Sequence, residues 1–290
     1  MASWFSLGSR KKEIEAAQRQ IDDDLREYAA RALNNPDGYF AHAIDKNGAL
    51  DAFQRWIASL SFAPGNLKKL ADVGQIVESY VPYWLISAMS YSGFQGERGE
   101  DYKEKEAYTD AEGNEKTREV DKTRWHPVSG EVDKQFENVA ICGYPALPSG
   151  HKTLLAPPKE HRDLRIWNEA DVGNKALIAT VDAGAAFAEA RKVMDVEIRR
   201  LAESQISGPK KRLGSVETKY VDVKVQQILM PAWQANYTFR GKKYDVTINA
   251  LTGAVTGDRP YAAGKIIMLV GGIILAVGVI AAAVWFFAMR

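Results

Sequence analysis

The residues most suggestive of chemistry in this chain imitate the catalytic loop of protein kinases. His161, Arg162 and Asp163 precede Asn168 at the spacing of the kinase base and a magnesium ligand, and 171–173 imitates the metal-binding triplet. Phosphoryl transfer also needs a glycine-rich phosphate cover ahead of this loop and a metal-binding segment well beyond it. No such cover precedes His161, and Asp171 follows Asn168 almost directly. We therefore interpret the run as a coincidence.

A second imitation, between Gly257 and Lys265, resembles a nucleotide phosphate-binding loop. Its glycines, Gly257 and Gly264, are too far apart for that motif, and Ile266 stands where a Ser or Thr must bind magnesium. The segment is better interpreted as a stiff link to the residues that follow it.

The histidines and the cysteine do not form a metal site in sequence. His42, His126, His151 and His161 lack ligand spacing, and the single thiol, Cys142, can form neither an internal disulfide nor a thiolate zinc site. The net charge of +1 and short basic clusters also argue against a nucleic-acid groove. We predict no catalytic residue, no cofactor, no metal and no nucleic-acid partner.

The C-terminal stretch 266–289 carries no charged residue. As a helix it would be about 36 Å long at roughly 1.5 Å per residue, enough for a bilayer core of roughly 30 Å. No signal peptide precedes it. We therefore predict a tail-anchored, single-pass protein of the bacterial inner membrane, with the lipid bilayer as a partner and the N-terminal domain in the cytoplasm. The predicted anchor, within 263–290, includes Lys265, Ile266, Gly272, Ala276, Trp285, Phe286, Phe287 and Arg290.

The N-terminal segment, 1–47, predicts a helix from Ser9 to about Asn34. Apolar residues recur at nearly seven-residue spacing, as expected for a packed or coiled helix. The helix either packs on its own domain or self-associates. Its candidate partner-contact residues are Ile14, Ile21, Leu25 and Tyr28.

The middle of the chain predicts alternating helices and antiparallel strands. We predict helices at 49–60, 66–79 and 171–206, the last ended by Ser207-Gly208-Pro209. Aromatic and β-branched residues from Ser79 predict a strand, then a charged hairpin turning near Gly113 and a second hairpin turning at Ser129-Gly130. Further strands are predicted at 216–226, 228–240, 243–250 and 254–256.

An internal echo links two parts of the chain. Val81-Pro82-Tyr83-Trp84 matches Met230-Pro231-Ala232-Trp233, and a glycine follows each Trp at similar spacing. We therefore predict an α+β fold with N-terminal helices, two related α+β halves at 48–170 and 171–262, and the C-terminal membrane helix.

Several motifs between about 50 and 265 resemble, in order, a family of bacterial membrane proteins with an N-terminal TFIIB-type zinc ribbon, often labelled primosomal helicase-like. They include Tyr80-Val-Pro-Tyr-Trp84, Tyr91-Ser-Gly-Phe-Gln-Gly96, Trp125-x-Pro-Val-Ser-Gly130 and Met230-Pro-Ala-Trp233. The hairpin at 244–256 resembles that of a PepSY module. The family-motif positions that we expect to be structural are Pro82, Trp84, Gly96, Trp125, Pro231, Trp233 and Gly253.

The resemblance implies a non-enzymatic adaptor or scaffold that accompanies an SPFH (flotillin-like) or membrane-stress protein. The zinc ribbon is missing here, since the sequence has no Cys-x-x-Cys pair. A helical contact with the partner, or a homo-oligomer, would then replace any ribbon-mediated contact. Two alternatives stay open: an enzyme with a site between the two halves, and a nucleic-acid-binding protein.

Overall fold

The computed structural model of the chain describes residues 20–21, 23–28, 35–61, 63–64, 67, 72–109 and 113–288, without the side chains at 116, 263–266, 269 and 286. The strands are β1 Gly38–Phe40, β2 Asp72–Val73, β3 Val77–Thr109, β4 Glu115–Cys142, β5 Leu164–Ile166, β6 Lys210–Phe239, β7 Lys242–Asn249 and β8 Val255–Gly257. The helices are α1 Lys46–Ser59, α2 Ser149–Leu154, α3 Glu169–Val172, α4 Ala183–Gln205 and α5 Ala263–Ala288, with a 3-10 turn at Gly173–Lys175. Of the predicted N-terminal helix, residues 20–21 and 23–28 are helical, and the rest lies outside the described residues.

The predicted α+β class is wrong, because the fold is mostly antiparallel β-sheet. Antiparallel registers join β1 to β5, β2 to β6, β3 to β4, β6 to β7, and β7 to β8. The difference arises from three very long strands, β3, β4 and β6, which run through segments whose glycines and charges predicted turns.

The chain folds into two compact units that do not follow the predicted ranges 48–170 and 171–262. Unit 1 contains Met1–Asp37, Pro82–Pro145 and Ile178–Ile228. Unit 2 contains Gly38–Val81, Ala146–Leu177 and Leu229–Arg290. Each predicted range therefore contributes residues to both units.

The core of unit 1 forms where α4 packs on a sheet. Buried residues recur along α4 at helical spacing, and they contact Trp84, Phe136 and Tyr220 on β3, β4 and β6. The buried α4 residues are Ala183, Ala186, Phe187, Ala190, Met194, Ile198 and Ala202. This stripe is rich in alanine, which lets the helix approach the large aromatic side chains of the strands.

The core of unit 2 repeats this arrangement with α1. Ala49, Phe53 and Ile57 face the sheet and share a cluster with Trp233 and Tyr237. The Phe53 and Tyr237 ring centroids are 5.6 Å apart, in a tilted arrangement. The helix that stabilises the second Pro-x-Trp strand thus comes from far earlier in the chain.

Each unit holds its helix with the same set of hydrogen bonds, which we call the clasp. In unit 1, the Trp84 indole donates to the Val181 carbonyl at 2.9 Å, and Asp182 then caps α4 by accepting from the Ala185 amide at 2.7 Å. In unit 2, the Trp233 indole donates to the Ile44 carbonyl at 3.0 Å, and Asp45 caps α1. The clasp therefore fixes the start of a helix to a strand, which explains the internal echo in physical terms.

The backbone beside each Trp is bonded in the same way. The Pro82 carbonyl accepts from the Gly143 amide, whose own carbonyl accepts from the Val181 amide. The Pro231 carbonyl accepts from the Ala250 amide, and the Ala250 carbonyl accepts from Ile44. The two segments therefore share a pattern of backbone hydrogen bonds as well as the sequence Pro-x-Trp.

The predicted turn at Ser129-Gly130 is wrong, because β4 continues through it. Ser129 pairs with Gln95, and Gly130 pairs with Phe94. A Cβ atom at Gly130 would lie 2.6 Å from Cε1 of the Phe94 ring. The glycine makes room for an aromatic ring rather than for a turn, whereas the predicted turn near Gly113, at φ 86°, does join β3 to β4.

Other boundaries differ for local reasons. The predicted helix 171–206 is interrupted at Gly173, where φ is 54°, and α4 begins only after Asp182. Within 66–79, residues 72–73 lie in β2 and residues 77–79 lie in β3 rather than in a helix, since Val73 pairs with Tyr237. The two strands predicted on either side of Gln227 are one strand, β6.

The structure also corrects the predicted membrane anchor. Among the described residues, no helix has both the length and the apolarity required to cross a bilayer. The predictions of a transmembrane helix, a tail anchor and a single-pass inner-membrane location are therefore not supported.

Candidate functional site: the extended hairpin of unit 1

The feature that most distinguishes the two units is a long extension of the β3–β4 hairpin, which we call the arm. It comprises residues 100–109 and 115–124, paired from Glu100↔Arg124 to Thr109↔Glu115. At about 3.3 Å per residue, the arm is roughly 30 Å long. None of its described side chains is buried. The arm therefore adds surface to unit 1 without adding core.

One face of the arm, the tyrosine face, combines aromatic and charged side chains. Because directly opposed residues share a face, Tyr102, Glu104 and Glu106 lie with Lys122, Val120 and Arg118. The Arg124 guanidinium lies 4.9 Å from the Tyr102 ring centroid, and that of Arg118 lies 5.6 Å from the Tyr108 centroid. Rings held in this way form a rigid, amphipathic surface.

The charges on this face largely neutralise one another. The Lys122 ammonium lies 2.8 Å from a carboxylate oxygen of Glu104 and 2.8 Å from one of Glu106. Hydrogen bonding to Lys122 lowers the pKa of the Glu106 carboxyl, and hydrogen bonding to Glu104 and Glu106 raises that of Lys122. The face is therefore polar without a strong net field.

A clamp from β6 holds the base of the arm. The Lys210 ammonium donates to Asp101 at 2.6 Å and to the Thr123 hydroxyl at 2.8 Å, which lowers the pKa of the Asp101 carboxyl. The Arg212 guanidinium lies 3.7 Å from the Trp125 ring centroid. The arm thus leaves the unit in a defined direction.

A second polar group of residues, in unit 2, surrounds His42. Its Nε2 lies 3.3 Å from the Ala232 carbonyl oxygen and its Nδ1 lies 3.2 Å from the Tyr80 hydroxyl. Glu78 lies 3.5 Å from Nδ1 and 3.0 Å from the Lys175 ammonium. Burial lowers the pKa of His42 and raises that of Tyr80 to about 12. These groups satisfy one another, so their arrangement is well suited to holding the 3-10 turn against β3.

The residues that imitated enzyme motifs have local structural roles. Asn168 caps α3 by accepting from the Ala170 amide at 3.0 Å, and Asp171 accepts from the Tyr39 hydroxyl at 2.5 Å. The Cys142 thiol donates to the Tyr144 carbonyl, and His151 bonds the Thr247 hydroxyl. No group of metal-ligating side chains occurs within the described part of the chain.

The family-motif residues lie in the two clasps and at turns or crossings. Pro82, Trp84, Pro231 and Trp233 form the clasps, as described above. A Cβ atom at Gly96 would lie 2.6 Å from the Arg212 carbonyl oxygen, so glycine permits the close approach of β3 and β6. Trp125 lies under Arg212, and Gly253, at φ 73°, turns the chain from β7 into β8.

The predicted partner-contact helix turns its described apolar residues inward. Ile21 and Leu25 are buried in the core of unit 1. Tyr28 packs edge-on against Trp84, at 6.0 Å between centroids, and accepts from the Gln227 amide. Ile14 lies outside the described residues. The three described side chains therefore present little surface to a partner in this conformation.

The residues predicted as the anchor remain dispersed along α5. Gly272 and Ala276 lie in its middle, and Trp285 and Phe287 are exposed. The side chains of Lys265, Ile266 and Phe286, and all of Arg290, are outside the description.

Sequence reasoning missed both polar assemblies. The clamp joins Lys210 to Asp101 and Thr123, and the His42 group joins residues from the segment after β1, from β3 and from the 3-10 turn. Their members are far apart in sequence, and no spacing rule connects them. Comparison of the chain with protein-family models, curated proteins and solved structures finds no match.

Proposed function

We propose that the protein is a non-enzymatic scaffold that binds a protein partner through the arm. The observation that supports this most directly is that the arm extends about 30 Å beyond the core without burying a described side chain. Loops and extensions that contribute no core are common sites of recognition. The equivalent hairpin of unit 2 shows that the shared construction does not require such an extension, since β6 and β7 are joined directly after Phe239.

A protein partner fits the chemistry of the arm better than nucleic acid does. The acidic residues Glu104 and Glu106 pair with Lys122 on the tyrosine face, so phosphates would meet carboxylates rather than free cations. Tyrosine and arginine are enriched at the energetic centres of protein interfaces. Among the described strands, β4 is terminal in the sheet order, so its outer edge also offers backbone groups to an added strand.

The first partner to test is an SPFH-type protein, because the sequence motifs resemble a family that accompanies such proteins. A photoreactive p-benzoylphenylalanine at position 108 samples the end of the tyrosine face. The matched control carries the same residue at position 240, in the turn of the short hairpin of unit 2. Cells expressing each full-length variant are irradiated, and the adducts are identified by mass spectrometry.

We expect a discrete adduct at position 108, with an SPFH-type protein, and none at position 240. A discrete adduct at 108 with a different protein would contradict the proposal that the partner is of the SPFH type, but it would support the scaffold function. The absence of any adduct from a folded variant labelled at 108, or equal labelling from both positions, would contradict the scaffold itself.

A further inference from the structure

A groove in unit 2 lies where the chain leaves β8 and passes along the start of β7. It has a volume of about 350 Å³, and the residues that line it are 242–244, 257–259 and Tyr261. Pairing continues one step beyond β8, because the Asp258 amide donates to the Asp245 carbonyl at 2.9 Å. Arg259 therefore lies beside Tyr244, whose side chain shares one face of β7 with that of Lys242. The groove is large enough for a small ligand.

Two tyrosines hold this segment against the sheet. The Tyr244 ring stacks on the Tyr237 ring, with 5.1 Å between the centroids and 18° between the planes. The Tyr237 hydroxyl donates to the Asp258 carbonyl at 3.0 Å. Because these contacts belong to the folded chain itself, the groove is formed before any ligand enters it.

Lys242 and Arg259 supply the positive charge of the groove. The Lys242 ammonium lies 5.4 Å from the Tyr244 ring centroid. The Arg259 guanidinium lies 5.1 Å from the Tyr261 ring centroid, and its Nε donates to the Tyr261 hydroxyl at 3.2 Å. Neither cation forms an ion pair with another residue that the structure describes. The tyrosines therefore orient both cations without neutralising them.

The single carboxylate of the lining, Asp258, belongs to the opposite face of the sheet. Alternation places the side chains of Asp258 and Asp245 on the face of β7 that carries Thr247. There His151 bonds the Thr247 hydroxyl at 2.8 Å. Burial lowers the pKa of His151, and the charges of Asp258 and Asp245 oppose that shift. The face with Lys242 thus keeps a net positive charge.

The donors of the groove fit a phosphate monoester. Guanidinium, ammonium and tyrosyl hydroxyl groups all donate hydrogen bonds, and a phosphate monoester offers three acceptor oxygens with a charge of about −1.5 to −2 at pH 7. A carboxylate carries one charge and would compensate only one of the two cations. The Tyr261 side chain is 58% exposed, so it offers apolar surface to the organic part of such a ligand.

We propose that this groove is a binding site for a small phosphate monoester. Arg259 and Lys242 bind the phosphate oxygens, and Tyr261 packs on the organic part. The contacts come from side chains, so they do not require the backbone loop of nucleotide-binding proteins that the spacing of Gly257 and Gly264 excludes. The site lies in unit 2, and the proposal does not depend on the arm or on the scaffold function.

The test uses the full-length chain and phenyl phosphate as the probe, followed through the backbone amide resonances of 242–244 and 257–259. Phenyl sulfate has a similar shape and a single charge, and phenol supplies the ring without the charge. We expect saturable shifts with phenyl phosphate, weaker binding of phenyl sulfate and no saturable shift with phenol. Arg259→Gln should weaken phenyl phosphate binding about tenfold, because it removes a charge-assisted pair of hydrogen bonds.

A second position separates loss of charge from a change in local structure. Lys242→Gln should weaken phenyl phosphate binding, whereas Lys242→Arg, which keeps the charge, should retain it. The control Lys46→Gln removes an exposed cation at the start of α1 and should leave the affinity unchanged. The proposal is overturned if phenyl phosphate causes no saturable shift in the native chain. Equal affinities in R259Q and K46Q, or equal binding of phenyl phosphate and phenyl sulfate, would overturn it as well.

Discussion

The two units of this protein share one construction and differ in one hairpin. In each, a strand tryptophan bonds a carbonyl that immediately precedes an aspartate helix cap: Trp84 with Asp182, and Trp233 with Asp45. In unit 2 the hairpin ends at Phe239 and Lys242, whereas in unit 1 it continues through the arm. The difference shows which part of the hairpin the core needs, and it leaves the arm available for another role.

The two units also exchange their helices. Helix α1 comes before β3 in the chain but packs with the second part of β6 and with β7, and α4 comes after β3 and β4 but packs with both of them as well as with the first part of β6. Each unit is therefore built from both parts of the chain. Neither half of the sequence contains a complete unit, which is why boundaries drawn along the chain do not coincide with the compact units.

The largest expected effect is on the clasps. Trp84→Ala and Trp233→Ala should each lower the free energy of unfolding by about 3–5 kcal/mol, because each creates a cavity and leaves a carbonyl without its indole donor. Trp84, which is fully buried, should have the larger effect than Trp233, which is 8% exposed. Urea unfolding of the full chain measures both. Trp125→Ala, at the base of the arm, is the control. If it lowers the free energy of unfolding as much as Trp84→Ala does, the clasp tryptophans are not special to the core of each unit.

The next effect concerns the crossing at the base of the arm. Gly96→Ala should destabilise by about 1–3 kcal/mol, because its Cβ would lie 2.6 Å from a backbone oxygen of Arg212, which cannot move aside easily. Gly93→Ala is the matched control on the same strand, since its Cβ would meet no atom within 4 Å. Thermal unfolding should separate the two variants. Equal behaviour would show that the approach of β3 to β6 is not constrained.

The helix caps should have smaller and nearly equal effects. Asp45→Ala and Asp182→Ala each remove a side-chain bond to a helix amide, to Gly48 at 2.8 Å and to Ala185 at 2.7 Å. Loss of such a cap costs about 1 kcal/mol. Chemical unfolding of both variants tests whether the clasps are energetically alike. If only one of the two substitutions lowers the free energy of unfolding, the clasps are alike in geometry but not in energy.

The pH dependence of stability should reflect unit 2, through His42 and His151. Burial lowers the pKa of both side chains, so the folded state binds protons more weakly than the unfolded state does. Stability contributed by the neutral imidazoles is therefore complete above the unfolded pKa, about 6.5, and declines as the pH falls below it. Unfolding midpoints between neutral and mildly acidic pH should fall less in His42→Gln than in the native chain. An identical slope would contradict this role of His42.

The sequence predicted several elements because their signals are local. Periodicity identified α1 and the main part of α4, and the repeated Pro-x-Trp identified the two strands of the clasps. The hairpin turn near Gly113 was also predicted, because a glycine interrupts a charged run there, and the φ angle of that glycine is positive in the structure. These features depend on residues within a few positions of one another.

What the sequence did not reveal depends on distant partners. In the sequence, Gly130 resembles a turn residue, but in the structure it makes room for the Phe94 ring. Gln227 resembles a strand end in the sequence, but it lies within β6, and its backbone amide donates to Asp37 outside that strand. The clamp at Lys210 and the exchange of helices follow from tertiary pairing, for which a single sequence carries no spacing signal. The uncharged C-terminal run predicted a membrane span, and the structure does not support it.

The most direct test of the role of the arm is to remove the arm and keep its clamp. Residues 102–122 are replaced by the Arg-Gly turn that closes the β6–β7 hairpin, joining Asp101 to Thr123, which are already paired. In that turn both φ angles are positive, at 52° and 78°, as a two-residue hairpin loop requires. We predict a free energy of unfolding within about 0.5 kcal/mol of the native value, as for surface changes that leave the core intact, together with loss of partner binding. An unfolded or strongly destabilised chain, or full retention of the partner, would contradict it.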